Sequence, residues 1–162
     1  MTELLQRINA DRRASLLLKI ISHACALACA VIYIFTLVYT YLSEPMHAGI
    51  ILAVSAFGFV LVSVVRRIIN APRPYEKYDF YEVLPKQKCG SSFPSRHVFS
   101  AFIIGTLAFA ASPFLAIPAL LMGLLMAVCR VLLGIHYIRD VAAGALVGAV
   151  LGIIGIIIIH LI

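Results

Sequence analysis

Three polar stretches interrupt an otherwise apolar chain, and their side chains are the types that phosphoryl chemistry requires. The first is Arg66, six residues, then Arg73-Pro74; the second is Pro94-Ser95-Arg96-His97; the third is Arg130, five residues, His136, three residues, Asp140. Together they hold four arginines, two histidines and one carboxylate. Arginine's planar fork grips phosphate oxygens in pairs. An imidazole attacks phosphorus or protonates a departing oxygen. A carboxylate bonded to one ring nitrogen fixes the tautomer and raises the basicity of the other.

The spacing suggests roles. Pro72 and Pro74 stiffen the backbone on either side of Arg73. Pro94 suits the first turn of a helix, where open N–H groups and the helix dipole make an anion site. Ser95 adds a hydroxyl there, and His97 a proton donor. His136 and Asp140 are spaced i, i+4, which on one helix puts them on a common face. That makes His136 the candidate nucleophile and Asp140 its partner. Arg130, just upstream, is placed to hold phosphoryl oxygens, and Gly134 to permit a bend. Each signal alone is ordinary: Arg66-Arg67 reads equally well as an interfacial anchor ending a helix. His23, His47 and His160 stand apart from the motifs and read as structural or interfacial.

The elements that must position these groups are membrane helices. Of 162 residues, 63% are hydrophobic and only 12% charged, with a mean hydropathy of +1.06. No water-exposed surface is made of such a composition. Spans are expected over 20–41, 46–65 and 141–162. Residues 98–129 carry no Asp, Glu, Lys or Arg. As one straight helix they would run roughly 48 Å, against a hydrocarbon core of about 30 Å. Ser112-Pro113 therefore marks a hairpin of two spans. Residues 1–19 read as an interfacial helix. The run 20–41 is too long for a cleaved signal peptide. The expectation is an all-α, antiparallel membrane bundle of one domain, with five spans.

Five spans bring all three motifs to one membrane face, beside the polar loop 71–96. All 13 Lys and Arg fall on that face, so the positive-inside rule places it in the cytoplasm. The net charge of +6 borders spans too apolar for a nucleic-acid partner and suits anionic lipid headgroups. The four cysteines, among them Cys89 in the loop, show neither a disulfide framework nor metal-ligand spacing. Gly144, Gly148, Gly152 and Gly155 share one face of the last span, suited to packing inside the bundle or to a homodimer.

With these motifs in this order, the chain resembles the type 2 phosphatidic acid phosphatase superfamily, which includes lipid phosphate phosphatases, bacterial prenyl-pyrophosphate phosphatases and vanadium haloperoxidases. The family pattern is Lys, six residues, Arg-Pro; Pro-Ser-Gly-His; and Ser-Arg, five residues, His, three residues, Asp. The resemblance implies a metal-free, cofactor-free bacterial inner-membrane phosphatase acting on a lipid phosphate or pyrophosphate. His136 would form a phosphohistidine, His97 would be the general acid and Asp140 would orient His136. Arg66, Arg73, Ser95, Arg96 and Arg130 would surround the phosphate. The chain departs from the pattern at Arg66 for lysine, Arg96 for glycine and Cys129 for serine. Its five spans are one short of the six common among membrane members. A non-catalytic lipid-phosphate-binding protein and a vanadate-dependent haloperoxidase are the alternatives.

Overall fold

The structure, a computed structural model, describes residues 2–77 and 90–162. Lys86, Lys88 and Cys89 of the polar loop 71–96 lie outside the described residues. Among the described residues every regular element is helical: α1 Thr2–Ala10, α2 Arg12–Ser43, α3 Pro45–Ile69, α4 Pro74–Lys77, α5 Arg96–Leu107, α6 Pro113–Leu132 and α7 Ile138–Leu161.

The stretch expected as one interfacial helix is divided by Asp11. Its carboxylate accepts from the N–H groups of Arg13 (2.8 Å) and Ala14 (3.4 Å) and so caps α2. Arg12, Arg13 and Lys19 therefore belong to the first turns of α2, a helix of 32 residues. The short α1 is docked rather than frayed. Leu5 packs on Tyr75, and Asn9 Nδ2 donates to the carbonyls of Leu5 (2.8 Å) and Leu132 (3.2 Å).

Helices α2, α3, α6 and α7 are each long and apolar enough to cross a membrane. The fifth apolar element is shorter: α5 runs 12 residues and continues as a 3-10 turn over Ala108–Ala110. The break after it falls at Ser112-Pro113, as expected. Ser112 Oγ accepts from Phe114 N–H at 3.2 Å and caps α6, and Pro113 occupies its first turn. Large side chains such as Leu27, Ile34, Phe57, Leu121, Leu146 and Ile153 point outward, the surface of a protein solvated by acyl chains.

The short α5 sits at the centre. Phe99, Ile103 and Leu107 pack with Ile51 and Val62 of α3 and Ile159 of α7. On its other side Ala101 meets Cys25 and Cys29 of α2 and Met126 of α6. Lipid tails are as apolar as these side chains, so close packing rather than water exclusion selects the arrangement.

The glycine face of α7 supplies the closest approach. A Cβ at Gly144 would lie 2.6 Å from Ser95 O, and one at Gly148 would lie 2.6 Å from Phe99 O. A Cβ at Gly152 would meet Thr106, and one at Gly155 would meet Leu107. The stripe is therefore an α7–α5 seam, and the homodimer envisaged through Gly144, Gly148 and Gly152 finds that face already covered by α5.

Candidate active site

The site forms where the motif ends of α3, α5, α6 and α7 meet. After α6, Gly134 adopts φ 64°, a conformation strained for any residue with a Cβ. The N–H groups of Ile135 (3.1 Å) and His136 (3.3 Å) both return to Arg130 O. This tight reversal turns the His136 side chain inward, where it is 3% exposed. Tyr75 N–H donates to Gly134 O at 3.2 Å and ties α4 to the same turn.

His136 is thus in the linker, not on a helix shared with Asp140, as the i, i+4 reading had it. Helix α7 starts after Tyr137, and Asp140 lies in its first turn. Asp140 Oδ2 accepts from Tyr137 N–H at 3.0 Å, which caps the helix and sets a negative charge at its positive end. His136 Nδ1 is 3.7 Å from that oxygen, beyond hydrogen-bond length.

Ser92, absent from the sequence reading, closes the gap. Its hydroxyl donates to Asp140 Oδ2 at 2.5 Å, and its oxygen lies 3.3 Å from His136 Nδ1. With the hydroxyl proton given to the carboxylate, the ring must be the donor to Ser92. Nδ1 then carries the hydrogen and the Nε2 lone pair is free. Ser92 is fully buried. The signal for it was faint: one of two adjacent serines before Phe93-Pro94, with nothing in its spacing to separate it from turn chemistry.

The loops carrying the first two motifs are knitted together. Asn70 ends α3 with φ 42°, and its Oδ1 accepts from Ser91 N–H at 3.1 Å. Glu76 Oε1 accepts from the N–H groups of Gly90 (2.6 Å) and Arg73 (3.3 Å). Arg73 Nε donates to Gly90 O at 3.1 Å. Arg66 is buried and donates from Nη1 to Ser92 O at 3.2 Å and to Pro94 O. Arg66 therefore holds the Ser92–Pro94 turn in place, a structural duty that the phosphate-gripping role implied for it did not include. Asn70 and Glu76 were likewise missed, because a lone Asn or Glu in a loop carries no distinguishing pattern.

Ser95 joins the second and third motifs. Its N–H donates to Asp140 O at 2.9 Å, and Gly144 lets its carbonyl seat against α7. Its hydroxyl is fully buried yet has no hydrogen-bond partner among the described residues, and neither has Arg130 Nε. Buried donors without acceptors are costly, by about 1–3 kcal/mol each. An anion's oxygens are the acceptors that such donors lack.

All the motif cations share one electrostatic neighbourhood. Arg66 interacts with Arg73, Arg96 and Asp140. Arg130 interacts with Arg73. His97 interacts with Arg130, His136 and Arg96, and His136 with Arg73 and Arg66. His23 of α2, read as remote from the motifs, also interacts with His97. Burial holds the His136 imidazole below its ordinary pKa, against the upward pull of Asp140, and the facing arginines add to the depression. The ring is therefore kept neutral. Cys129, beside Arg130, is a buried free thiol.

The model of the PAP2 superfamily matches residues 46–161, which carry all three motifs. The chain belongs to the PAP2 superfamily. Solved structures that share its fold include these two. Aquifex aeolicus LpxE is 26% identical, with a TM-score of 0.71 over 95% of this chain and 93% of that one. The transmembrane PAP2-type phosphatidylglycerolphosphate phosphatase from Bacillus subtilis is 20% identical, with a TM-score of 0.73 over 98% and 85%. None of the curated proteins compared with the chain matches it. Family membership and four helices long and apolar enough to cross a membrane mark the chain as an integral membrane member of the PAP2 superfamily.

Proposed function

We propose that the protein removes the terminal phosphate of a membrane lipid phosphate or pyrophosphate through a phosphohistidine. The observation that carries this reading is the His136–Ser92–Asp140 chain, with Nε2 free, facing guanidiniums and two unsatisfied buried donors. Nε2 attacks phosphorus in line. Arg73, Arg130 and the Ser95 hydroxyl hold the phosphoryl oxygens and gain strength as charge builds on them. His97 protonates the departing oxygen and then takes a proton from the water that hydrolyses the intermediate. The residues named need no metal for this sequence of steps.

Cations cluster at the motif end, including Arg7, Arg12, Arg13 and Lys19, which lie outside the motifs. That bias supports a site facing the cytoplasm from a bacterial inner membrane.

Purified protein in detergent should release orthophosphate from a panel of phosphatidic acid, phosphatidylglycerol phosphate and undecaprenyl pyrophosphate, with chelator present. The acidic limb of kcat/KM should fall below pH 6.5. A depressed His136 pKa keeps the neutral nucleophile populated to lower pH than a free imidazole would allow. Absence of release from every lipid, or an acidic limb well above 6.5, contradicts the reading.

Ser92 supplies a separate prediction. Ser92→Ala breaks the link between ring and carboxylate and leaves the 3.7 Å gap unbridged. We expect kcat to drop roughly tenfold to a hundredfold, with KM little changed, because Ser92 meets the ring at Nδ1 rather than at the attacking Nε2. Steady-state kinetics on the folded variant checks this, and an unchanged kcat refutes the relay.

A further inference from the structure

Arg96 stands where two cavities meet. One, of about 520 Å³, opens at the motif end of α3 and is lined by Arg66, Arg67, Arg73 and Arg96. The other, of about 330 Å³, runs along α5 away from the motifs and is lined by Ala26, Ala30, His97, Ile104 and Met126. Arg96 and Phe59 belong to both.

The four arginines are not equivalent. Arg66 is tied to the carbonyls of Ser92 and Pro94, and Arg73 to that of Gly90. Arg67 and Arg96 are exposed, and neither donates a hydrogen bond to a described residue. Arg96 only lies over the Phe59 ring, 5.7 Å from its centroid. One tetrahedral phosphoryl group at His136 is already served by Arg73, Arg130 and Ser95. It leaves two guanidiniums, Arg67 and Arg96, with their donors open on the cavity that Arg73 also lines.

We infer that Arg67 and Arg96 form a second anion subsite, and that the substrate is a lipid diphosphate. This assignment rests on the phosphatase reading above. The terminal phosphoryl group sits at His136, the inner one on Arg96 and Arg67, and the chain follows the apolar cavity past Phe59 and Ile104. The order polar cavity, Arg96, apolar cavity matches the order of groups in such a molecule.

His136 Nε2 forms a bond to the terminal phosphorus, and the bond from that phosphorus to the bridging oxygen breaks. The electron pair stays on the bridging oxygen, which takes the His97 proton and becomes a terminal hydroxyl of a lipid monophosphate. Water attacks the phosphohistidine, gives its proton to His97, and releases orthophosphate with the ring restored. A phosphate monoester leaves with less help from a proton than an alkoxide does, and Arg96 stabilises the charge that arrives on it. A lipid monophosphate lacks the group that Arg96 reads.

Farnesyl diphosphate and farnesyl monophosphate serve as matched probes. Phosphate release from each is measured for the wild type, Arg96→Gly and Arg67→Gln, and calorimetry compares inorganic pyrophosphate with orthophosphate. The wild type should favour the diphosphate. Arg96→Gly, which restores the family's residue, should reduce the diphosphate-to-monophosphate ratio of kcat/KM about tenfold, the value of one charge-assisted contact. Arg67→Gln should reduce it in the same direction. Pyrophosphate should bind the wild type more tightly than orthophosphate, and lose that advantage in Arg96→Gly. A ratio unchanged in both variants, or equal binding of the two anions by the wild type, overturns the subsite. Tighter pyrophosphate binding through Arg96 without release from either lipid supports the subsite and overturns the phosphatase reading instead.

Discussion

His136→Ala releases no phosphate above background while keeping its helical content and melting behaviour. The expected loss is at least about 10⁴-fold, the scale seen when the nucleophile of a coupled catalytic unit is deleted. Among the described residues the ring hydrogen-bonds through Nδ1 to Ser92, and removing it leaves Ser92 still bonded to Asp140. The Gly134 reversal is held by backbone hydrogen bonds to Val131 and Arg130 that do not involve the side chain. Fold and function should therefore separate. Rapid acid quench after a phosphate-labelled substrate should trap an acid-labile phosphoenzyme in the wild type and none in the variant. Near-normal turnover by folded His136→Ala would sink the nucleophile assignment.

Gly144→Val should be almost as damaging, through geometry rather than chemistry. Its Cβ would lie 2.6 Å from Ser95 O and 3.3 Å from Phe99 N, and both are backbone atoms with no rotamer to escape into. Either α7 or α5 must shift. The shift would stretch the bond from Ser95 N–H to Asp140 O, now 2.9 Å, and with it the register of His97 and Arg96 against His136. Overpacking of this kind costs about 1–3 kcal/mol, and a displacement near 1 Å at reacting groups costs about a hundredfold in rate. Gly152→Ala is the matched control. It meets the Thr106 side chain, 2.5 Å from Cβ, on the same seam but further along α7. It should lower the melting temperature while the folded fraction turns over normally. If Gly144→Val retains wild-type kcat, or Gly152→Ala loses activity to the same degree, the seam does not set the site.

The motif spacings and the apolar blocks between them were enough to announce a membrane helical bundle with one polar end, because each signal is local. Arg73-Pro74, Pro94-Ser95-Arg96-His97 and His136 with Asp140 carry their chemistry in residue type. Ser112-Pro113 is a helix start in its own right, since its cap and its proline act within one turn. Gly134 likewise announced a bend that only a residue without Cβ makes comfortably.

What the sequence could not contain is which residues meet across chain separations of 14 to 48 positions, as Gly90 meets Glu76 and Ser92 meets Asp140. Ser92 looks like any turn serine until α5 and α7 close on it. Arg66 looks like a membrane anchor until the carbonyls of Ser92 and Pro94 arrive at its guanidinium. The four glycines of α7 could have faced a second copy, and only the packing of α5 chose otherwise. Residue types and spacings determined the class of chemistry and the kind of solvent around the helices, because these follow from side chains and short-range periodicity. Tertiary structure alone decided how His136 is held and where Arg96 points, because both depend on backbone groups brought together by the packing of separate helices.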